Sequence, residues 1–169
     1  MTRIGLLSDT HGFIHPKCFE FFKDCDEIWH AGDIGNIQTA DALLEFKPFK
    51  AVFGNIDGHD VRAVYKEFLV FTIEQIKVVM MHIGGYPGHY SKVARELISR
   101  EKPALFISGH SHILKVMFDQ KYNCLHMNPG SAGKYGIHRS ITMIRFVIDR
   151  DQIRDLEVMD IMRSEEVRK

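Results

Sequence analysis

Polar residues of the kind that bind metals follow several apolar runs, each at the point where a strand is expected to end. Asp9 and His11 come after residues 3–8, and Asp33 comes shortly after residues 27–30. In open α/β sheets, ligands bind beyond the carboxyl ends of the strands, so such side chains should line one crevice. Carboxylate, imidazole and amide ligands suit Mn, Fe, Co, Ni or Zn. The candidate ligands are Asp9, His11, Asp33, Asn55, His82, His110 and His112.

The spacing of these residues suggests how they share metal ions. In extended backbone, residues i and i+2 point the same way, so Asp9 and His11 should reach one ion together, and His110 and His112 should project into one site. Seven ligands for two ions imply a shared carboxylate, and Asp33 is the lone acid of its loop. Two ions about 3.5–4 Å apart can activate water and clamp phosphoryl oxygens, which predicts hydrolysis of a phosphate ester. A single histidine is more often a packed or surface residue, but the ordered series of strand ends favours a metal site.

The elements that must position these side chains begin as an alternation of strands and helices. Strands are predicted at 3–8, 27–30 and 49–53, with helices at 16–23 and 37–46 between them. This order favours a parallel sheet. Helical spacing places Leu44 and Val93 on inward faces of helices 37–46 and 90–100. Further strands are predicted at 67–73, 76–82, 104–108, 113–118, 123–128, 140–148 and 152–159. Two sheets packed face to face with helices outside are therefore expected.

Length and composition limit the class of protein. The 169 residues favour one domain spanning 1–169, with a charged tail at 163–169 that is expected to fray. Lys+Arg and Asp+Glu both number 22, which argues against a nucleic-acid or anionic-membrane partner, since both need a basic excess. The 3 scattered cysteines fit a reducing compartment. No apolar run is long enough to cross a membrane, so a cytoplasmic protein is expected.

The motifs together resemble a known signature. Asp9-x-His11, Gly32-Asp33, Gly54-Asn55-x-Asp57, His82 and Gly109-His110-x-His112 resemble the calcineurin-like metallophosphoesterases, and the chain is similar to their small single-domain phosphodiesterases from bacteria and archaea. The resemblance covers residues 9–131 and implies an α/β fold, a four-layer α-β-β-α sandwich of two mixed β-sheets flanked by helices. It implies two divalent metal ions, with Mn expected ahead of Ni, Co, Fe and Zn, and in-line attack by a hydroxide that bridges them. One ion would lie on Asp9, His11, Asp33 and His112, and the other on Asp33, Asn55, His82 and His110, with Asp33, Asn55 and His110 the expected catalytic residues.

The sequence departs from the family pattern after Asn55. Many members carry a histidine there, whereas Ile56 can neither protonate a leaving group nor hold a phosphate. One hypothesis is that His59 supplies the proton, and the alternative, which we favour, is an exposed loop histidine. Without a strong general acid, the enzyme should prefer good leaving groups, such as those of aryl phosphodiesters. Asn128 is a second candidate substrate contact, and Asp57 either orients a ligand or is a turn residue.

Two other functions stay open at this point. One is a phosphomonoesterase, which the missing histidine and the lack of a substrate-capping insertion make less favoured. The other is a non-catalytic binding scaffold, as in a eukaryotic retromer subunit that resembles this fold but lacks parts of the metal set. Here all seven positions are filled, which favours an enzyme acting on a small-molecule phosphate ester. A homo-oligomer is expected because residues 67–81 and 140–148 include apolar residues that look exposed.

Overall fold

The computed structural model describes residues 1–136 and 138–163. Within them, the strands and helices follow the predicted order closely, with boundaries that differ by a few residues. The strands are β1 (Thr2–Leu7), β2 (Glu27–His30), β3 (Phe49–Ala51), β4 (Phe68–Ile73), β5 (Ile76–Met81), β6 (Leu105–Ile107), β7 (Leu114–Asp119), β8 (Cys124–Pro129), β9 (Ser140–Asp149) and β10 (Gln152–Met162). The helices are α1 (Lys17–Phe21), α2 (Ile37–Phe46), α3 (His59–Arg62) and α4 (Lys92–Glu101).

The strands form two mixed five-stranded sheets. The first has the order β10-β9-β1-β2-β3 and the second β4-β5-β6-β8-β7. In the first sheet β1, β2 and β3 are parallel, as the alternation of strands and helices predicted, while β9 runs antiparallel to both β1 and β10. In the second sheet β5, β6 and β8 are parallel, and antiparallel β4 and β7 form its edges.

The two sheets pack face to face because their strands alternate between two apolar faces. Ile4 and Trp29 of the first sheet share one core with Met80 of the second. The intervening residues point outward, where Leu7 packs with Phe22 behind α1. Fully burying such a side chain contributes about 1.5–3 kcal/mol. On the other side of the sandwich, α4 covers the second sheet through Ala94, Leu97 and Ile98. The predicted four-layer α-β-β-α sandwich is therefore confirmed.

Several local expectations were wrong. Leu44 and Val93 are 52% and 48% exposed, so the buried stripes of α2 and α4 are narrower than the periodicity indicated. In strand β9 the apolar residues Ile141, Ile144 and Phe146 belong to the core, although residues 140–148 were expected to expose apolar groups. Helix α3 was not predicted, since four residues are too short for a helical period to be recognised.

The chain end was expected to fray from residue 163, and the structure contradicts this at Arg163. This side chain is 6% exposed, and its Nε donates to the carbonyl oxygen of Gly133 at 3.2 Å. Its backbone N–H donates to the Arg139 carbonyl oxygen at 2.7 Å. Residues 164–169 lie outside the described residues. In the described part of the chain, none of the helices has the length and apolar character needed to span a bilayer.

Candidate metal centre

Five loops that follow strands β1, β2, β3, β5 and β6 bring the seven candidate ligands together at one edge of the sandwich. The first group contains Asp9, His11 and His112, whose potential donor atoms all lie within 4.8 Å of one another. The second contains Asp33 and two further histidines under the same limit, His82 and His110. Parallel strands end at the same edge of a sheet, which is why residues so distant in sequence meet here.

Asp33 lies between the two groups. Its Oδ2 is 3.2 Å from His82 Nε2 and 3.5 Å from His11 Nε2. The amide of Asn55 joins the second group, with Oδ1 3.1 Å from His82 Nε2 and 3.0 Å from His110 Nδ1. One carboxylate oxygen therefore faces a histidine of each group, which is the arrangement needed for a shared ligand.

The loops achieve this arrangement with left-handed backbone rather than the extended backbone expected. Asp9, His11, Asp33, His110 and His112 have φ values of 55°, 48°, 54°, 68° and 60°. Non-glycine residues in the left-handed region cost of order 1–3 kcal/mol each, and they concentrate at functional sites. Asp9 and His11 lie in one group, as expected, although their backbone is not extended. The expectation for His110 and His112 was wrong, because they belong to different groups rather than to one site.

Buried acceptor atoms in the centre fit a divalent cation. Asp9 Oδ1 is fully buried without a hydrogen bond among the described residues, although His112 Nε2 lies 3.1 Å away. His82 Nδ1 is 2.7 Å from the Ala31 carbonyl oxygen and must donate to it, which leaves the Nε2 lone pair facing Asp33 Oδ2. Acceptors that face one another are stabilised by a cation between them, and a backbone carbonyl that fixes the histidine tautomer is a common partner of metal-binding imidazoles.

Without an ion, protons compete for these positions. Burial lowers the pKa of His82, but the hydrogen bond with Asp33 and the charges of both aspartates outweigh burial and raise it. The hydrogen bond with Asp9 raises the pKa of His11. Burial opposes ionisation of Asp33, yet His82 and the backbone N–H of Ile56 hold its pKa below the usual value. The carboxylates of the centre are therefore ionised, and their negative charge attracts cations.

Four polar residues outside the set of candidate ligands hold these loops in place. The Asp57 carboxylate accepts from the backbone N–H groups of Ile34, Gly35 and Gly54 at 3.1, 2.7 and 2.8 Å, so it orients the loops that carry Asp33 and Asn55. This decides between the two roles considered for Asp57. The other three residues are Ser8, Thr10 and His30.

His30 has a defined tautomer. The Gly32 N–H donates to its Nδ1 at 3.1 Å, so its Nε2 carries the proton and donates to Thr10 Oγ1 at 2.9 Å. Burial lowers the pKa of His30 to about 3, which keeps it neutral. Ser8 Oγ donates to Asp9 Oδ2 at 2.6 Å and leaves Asp9 Oδ1 unpartnered. The sequence did show a His or Ser next to a ligand motif at these positions. The sequence alone does not reveal which contacts such a residue makes.

The two candidate substrate contacts are placed differently. His59 begins α3, is exposed, and does not line the cavities next to the centre. Asn128 is buried, and its Nδ2 donates to the Gly109 carbonyl oxygen and to Ser111 Oγ at 3.0 and 3.1 Å. The Asn128 amide therefore positions the loop that carries His110. Ile56 contributes its backbone N–H, which donates to Asp33 Oδ1 at 3.0 Å.

Known proteins of similar sequence and structure share this fold. A "probable metallophosphoesterase" from Methanothermobacter thermautotrophicus is 31% identical over 133 residues, 76% of each chain. A structure described as a novel archaeal phosphodiesterase has a TM-score of 0.72 at 23% identity, covering 93% of this chain and 99% of that one. Vps29 from Chaetomium thermophilum has a TM-score of 0.77 at 16% identity, covering 98% and 90%. The profile of the calcineurin-like phosphoesterase superfamily domain matches residues 2–151, and the chain therefore belongs to that superfamily.

Proposed function

We propose that this protein is a metal-dependent phosphodiesterase that uses two divalent ions, with Mn as the first candidate and Ni, Co, Fe and Zn as others. The observation that carries this proposal is the position of Asp33 Oδ2, within 3.5 Å of a histidine nitrogen in each group. Asp9, His11 and His112 would complete one site, and Asn55, His82 and His110 the other. When bound, two such ions supply an activated water and stabilise charge on the phosphoryl oxygens for in-line displacement.

The residues of the chain would each have a separate task. Asp33 would hold both ions at a fixed separation, and its own position is set by the Ile56 N–H. Asn55 and His110 would present the second ion to the phosphoryl group, because both side chains face the open side of the centre and are exposed. Asp57 would keep the loops of Asp33 and Asn55 together, since it accepts hydrogen bonds from both.

A diester substrate is favoured over a monoester by the surroundings of Asn55. The next residue, Ile56, has a 44% exposed aliphatic side chain, and His59 lines neither cavity beside the centre. We therefore propose that neither position 56 nor His59 supplies a proton to the leaving group and that aryl diesters, whose leaving groups need no proton, react faster than alkyl diesters. The structural neighbour described as an archaeal phosphodiesterase supports the same class of substrate.

The test uses metal-stripped protein with Mn, Ni, Co, Zn and Mg added singly. Hydrolysis of bis-p-nitrophenyl phosphate and p-nitrophenyl phosphate is measured for the wild type, Asp33→Asn and His110→Ala, with His59→Ala as the matched histidine control. We expect metal-dependent diester cleavage that falls at least 100-fold in the first two variants, as removal of one charge-stabilising group does in other enzymes. His59→Ala should retain the wild-type rate.

A non-catalytic scaffold is the second candidate, because several structural neighbours are Vps29 proteins. Among them is Vps29 from Entamoeba histolytica in complex with Zn²⁺, with a TM-score of 0.70. Metal binding by itself therefore does not separate the two functions. Two bound ions without turnover of either ester would favour the scaffold.

We further propose that the chain is one cytoplasmic domain, residues 1–169, that acts on a small-molecule ester and forms a homo-oligomer. The edge strand β7 exposes three consecutive apolar residues, Val116, Met117 and Phe118, which are 42%, 46% and 54% exposed. Exposed apolar edge strands favour pairing with another chain. A monomeric mass by light scattering would contradict this proposal, and Met117→Glu should convert an oligomer to a monomer.

A further inference from the structure

Two cavities of about 380 Å³ each flank the second group of candidate ligands. One lies beside Asn55 and His82 and is also lined by Arg62, Glu67 and Lys92. The other, the aromatic cavity, lies beside His110 and is also lined by Ile83, Tyr86, His89, Tyr90, Ile113 and Lys115. Ile83 and Ser91 belong to both linings, so the two cavities adjoin each other.

Exposed apolar side chains converge on the aromatic cavity. Ile83, Tyr86 and Ile113 come from two different loops and are 46%, 38% and 47% exposed. Apolar groups gathered at a solvent-facing depression commonly mark a ligand site, and a volume of 380 Å³ is in the range of small-molecule pockets. The cavity therefore offers apolar surface that a ligand would cover.

Packed aromatic rings lie on the inner side of this cavity, including those of His126 and Tyr90. His126 stacks on Phe106 with ring centroids 5.7 Å apart, and Tyr90 meets the same ring edge-on at 5.5 Å. His126 is fully buried. The inner side of the cavity is therefore built from packed aromatic rings, a surface that suits a planar aromatic group.

The charge of the cavity is suited to an anionic ester. The Lys115 ammonium lies over the Tyr86 ring, 4.2 Å from its centroid, and the Tyr86 and His89 rings are 4.8 Å apart. Among the residues that line the cavity there is no carboxylate. The lining thus combines aromatic faces with one cation, a combination that binds planar aromatic groups carried by a phosphate.

We propose that the aromatic cavity binds a planar aromatic substituent of the phosphodiester while its phosphate lies at the metal centre. This inference rests on the proposed function and adds a substrate class to it. The link between the two sites is His110, which lines the cavity and whose Nδ1 is 3.0 Å from Asn55 Oδ1. A diester has two organic substituents, and two adjoining cavities beside one group of ligands accommodate both.

The test compares two esters with the same leaving group, bis-p-nitrophenyl phosphate and methyl p-nitrophenyl phosphate, in metal-loaded protein. Tyr86→Ala and Ile113→Ala remove exposed side chains from the cavity, and Leu44→Ala removes an exposed apolar side chain from α2, away from the cavity, as the control. We expect Tyr86→Ala to raise KM for the bis-aryl ester about fivefold or more, with kcat within twofold, since loss of one stacking partner has at least this effect. Leu44→Ala should change neither constant.

The outcomes separate the proposal for the cavity from the proposed hydrolytic function. A higher KM for both esters places the aromatic leaving group in the cavity, and a higher KM for the bis-aryl ester alone places the retained substituent there. Unchanged KM values in both cavity variants would overturn the proposal. If neither ester reacts with any metal, the proposed function fails, and the cavity is tested by saturation-transfer NMR with p-nitrophenol. Weaker saturation transfer to p-nitrophenol from Tyr86→Ala than from the wild type and Leu44→Ala would support the cavity, and equal transfer would refute it.

Discussion

At the scale of single residues, the centre depends on glycines that let backbone approach a ligand. A Cβ at position 54 would lie 2.1 Å from Asp33 Oδ1 and 2.4 Å from the Asp33 backbone nitrogen. We expect Gly54→Ala to displace Asp33 and to lower both diesterase activity, by at least tenfold, and the number of bound ions. Metal analysis of the purified variant measures the ions directly.

Gly58→Ala is the matched control for this substitution. A Cβ there meets nothing nearer than Asp60 Oδ1 at 3.5 Å, which is ordinary contact. This variant should keep both ions and the full rate. Two ions bound normally in Gly54→Ala would contradict the assignment of Asp33 as the shared ligand.

A second prediction at this scale concerns Asp57. Its carboxylate is the acceptor for three backbone N–H groups, so Asp57→Ala would leave several buried donors without a partner. Each such loss costs about 1–3 kcal/mol, and we expect the free energy of unfolding to fall by about 3 kcal/mol or more. Urea unfolding measures this value. Asp60→Ala, which removes an exposed acceptor for the single N–H of Ile37, should cost about 1 kcal/mol, and an equal loss in both variants would contradict the role of Asp57.

At the scale of elements, the sequence was sufficient for the order of strands but not for the paths of the loops. Apolar runs ended by polar motifs predicted β2 and α2 with their observed bounds. The left-handed φ of His110 and His112 was not predictable, because non-glycine residues rarely adopt it without tertiary support. The seven candidate ligands were therefore identified from the motifs, while the division of His110 and His112 between two groups depended on the resemblance to a family.

The free energy of unfolding should depend on pH through His126, a buried histidine of strand β8. Burial lowers the pKa of His126 to about 4, whereas an unfolded histidine has a pKa of about 6.5. Between these values the unfolded chain binds a proton that the folded chain does not. The contribution of His126 to the free energy of unfolding is therefore fully present above pH 6.5 and is lost as the pH falls toward 4. We expect a loss of about 3 kcal/mol across that interval, measured by urea unfolding at several pH values. His126→Phe, which can still stack on Phe106, should remove this part of the pH dependence, and an unchanged slope would contradict it.

At the scale of the whole molecule, three buried cysteines report whether the sandwich opens as one unit. Cys18 and Cys25 lie behind the first sheet and Cys124 behind the second, and all are at most 3% exposed. Burial raises the pKa of Cys18 and Cys124 to about 12 and that of Cys25 to about 11. Because thiolates are the reactive form, none of the three should react with a disulfide reagent at pH 8 until the protein opens.

The rate of labelling then measures the free energy of that opening on each side. Cys124→Ala leaves only the thiols behind the first sheet, and Cys18→Ala with Cys25→Ala leaves only the thiol behind the second. If residues 1–169 form one cooperative domain, the opening free energy from labelling should equal, in each protein, the global value from urea unfolding of the same variant. A difference of more than about 1 kcal/mol between the labelling and global values of one variant would mean that one layer opens alone, since such local opening has a lower free energy than global unfolding.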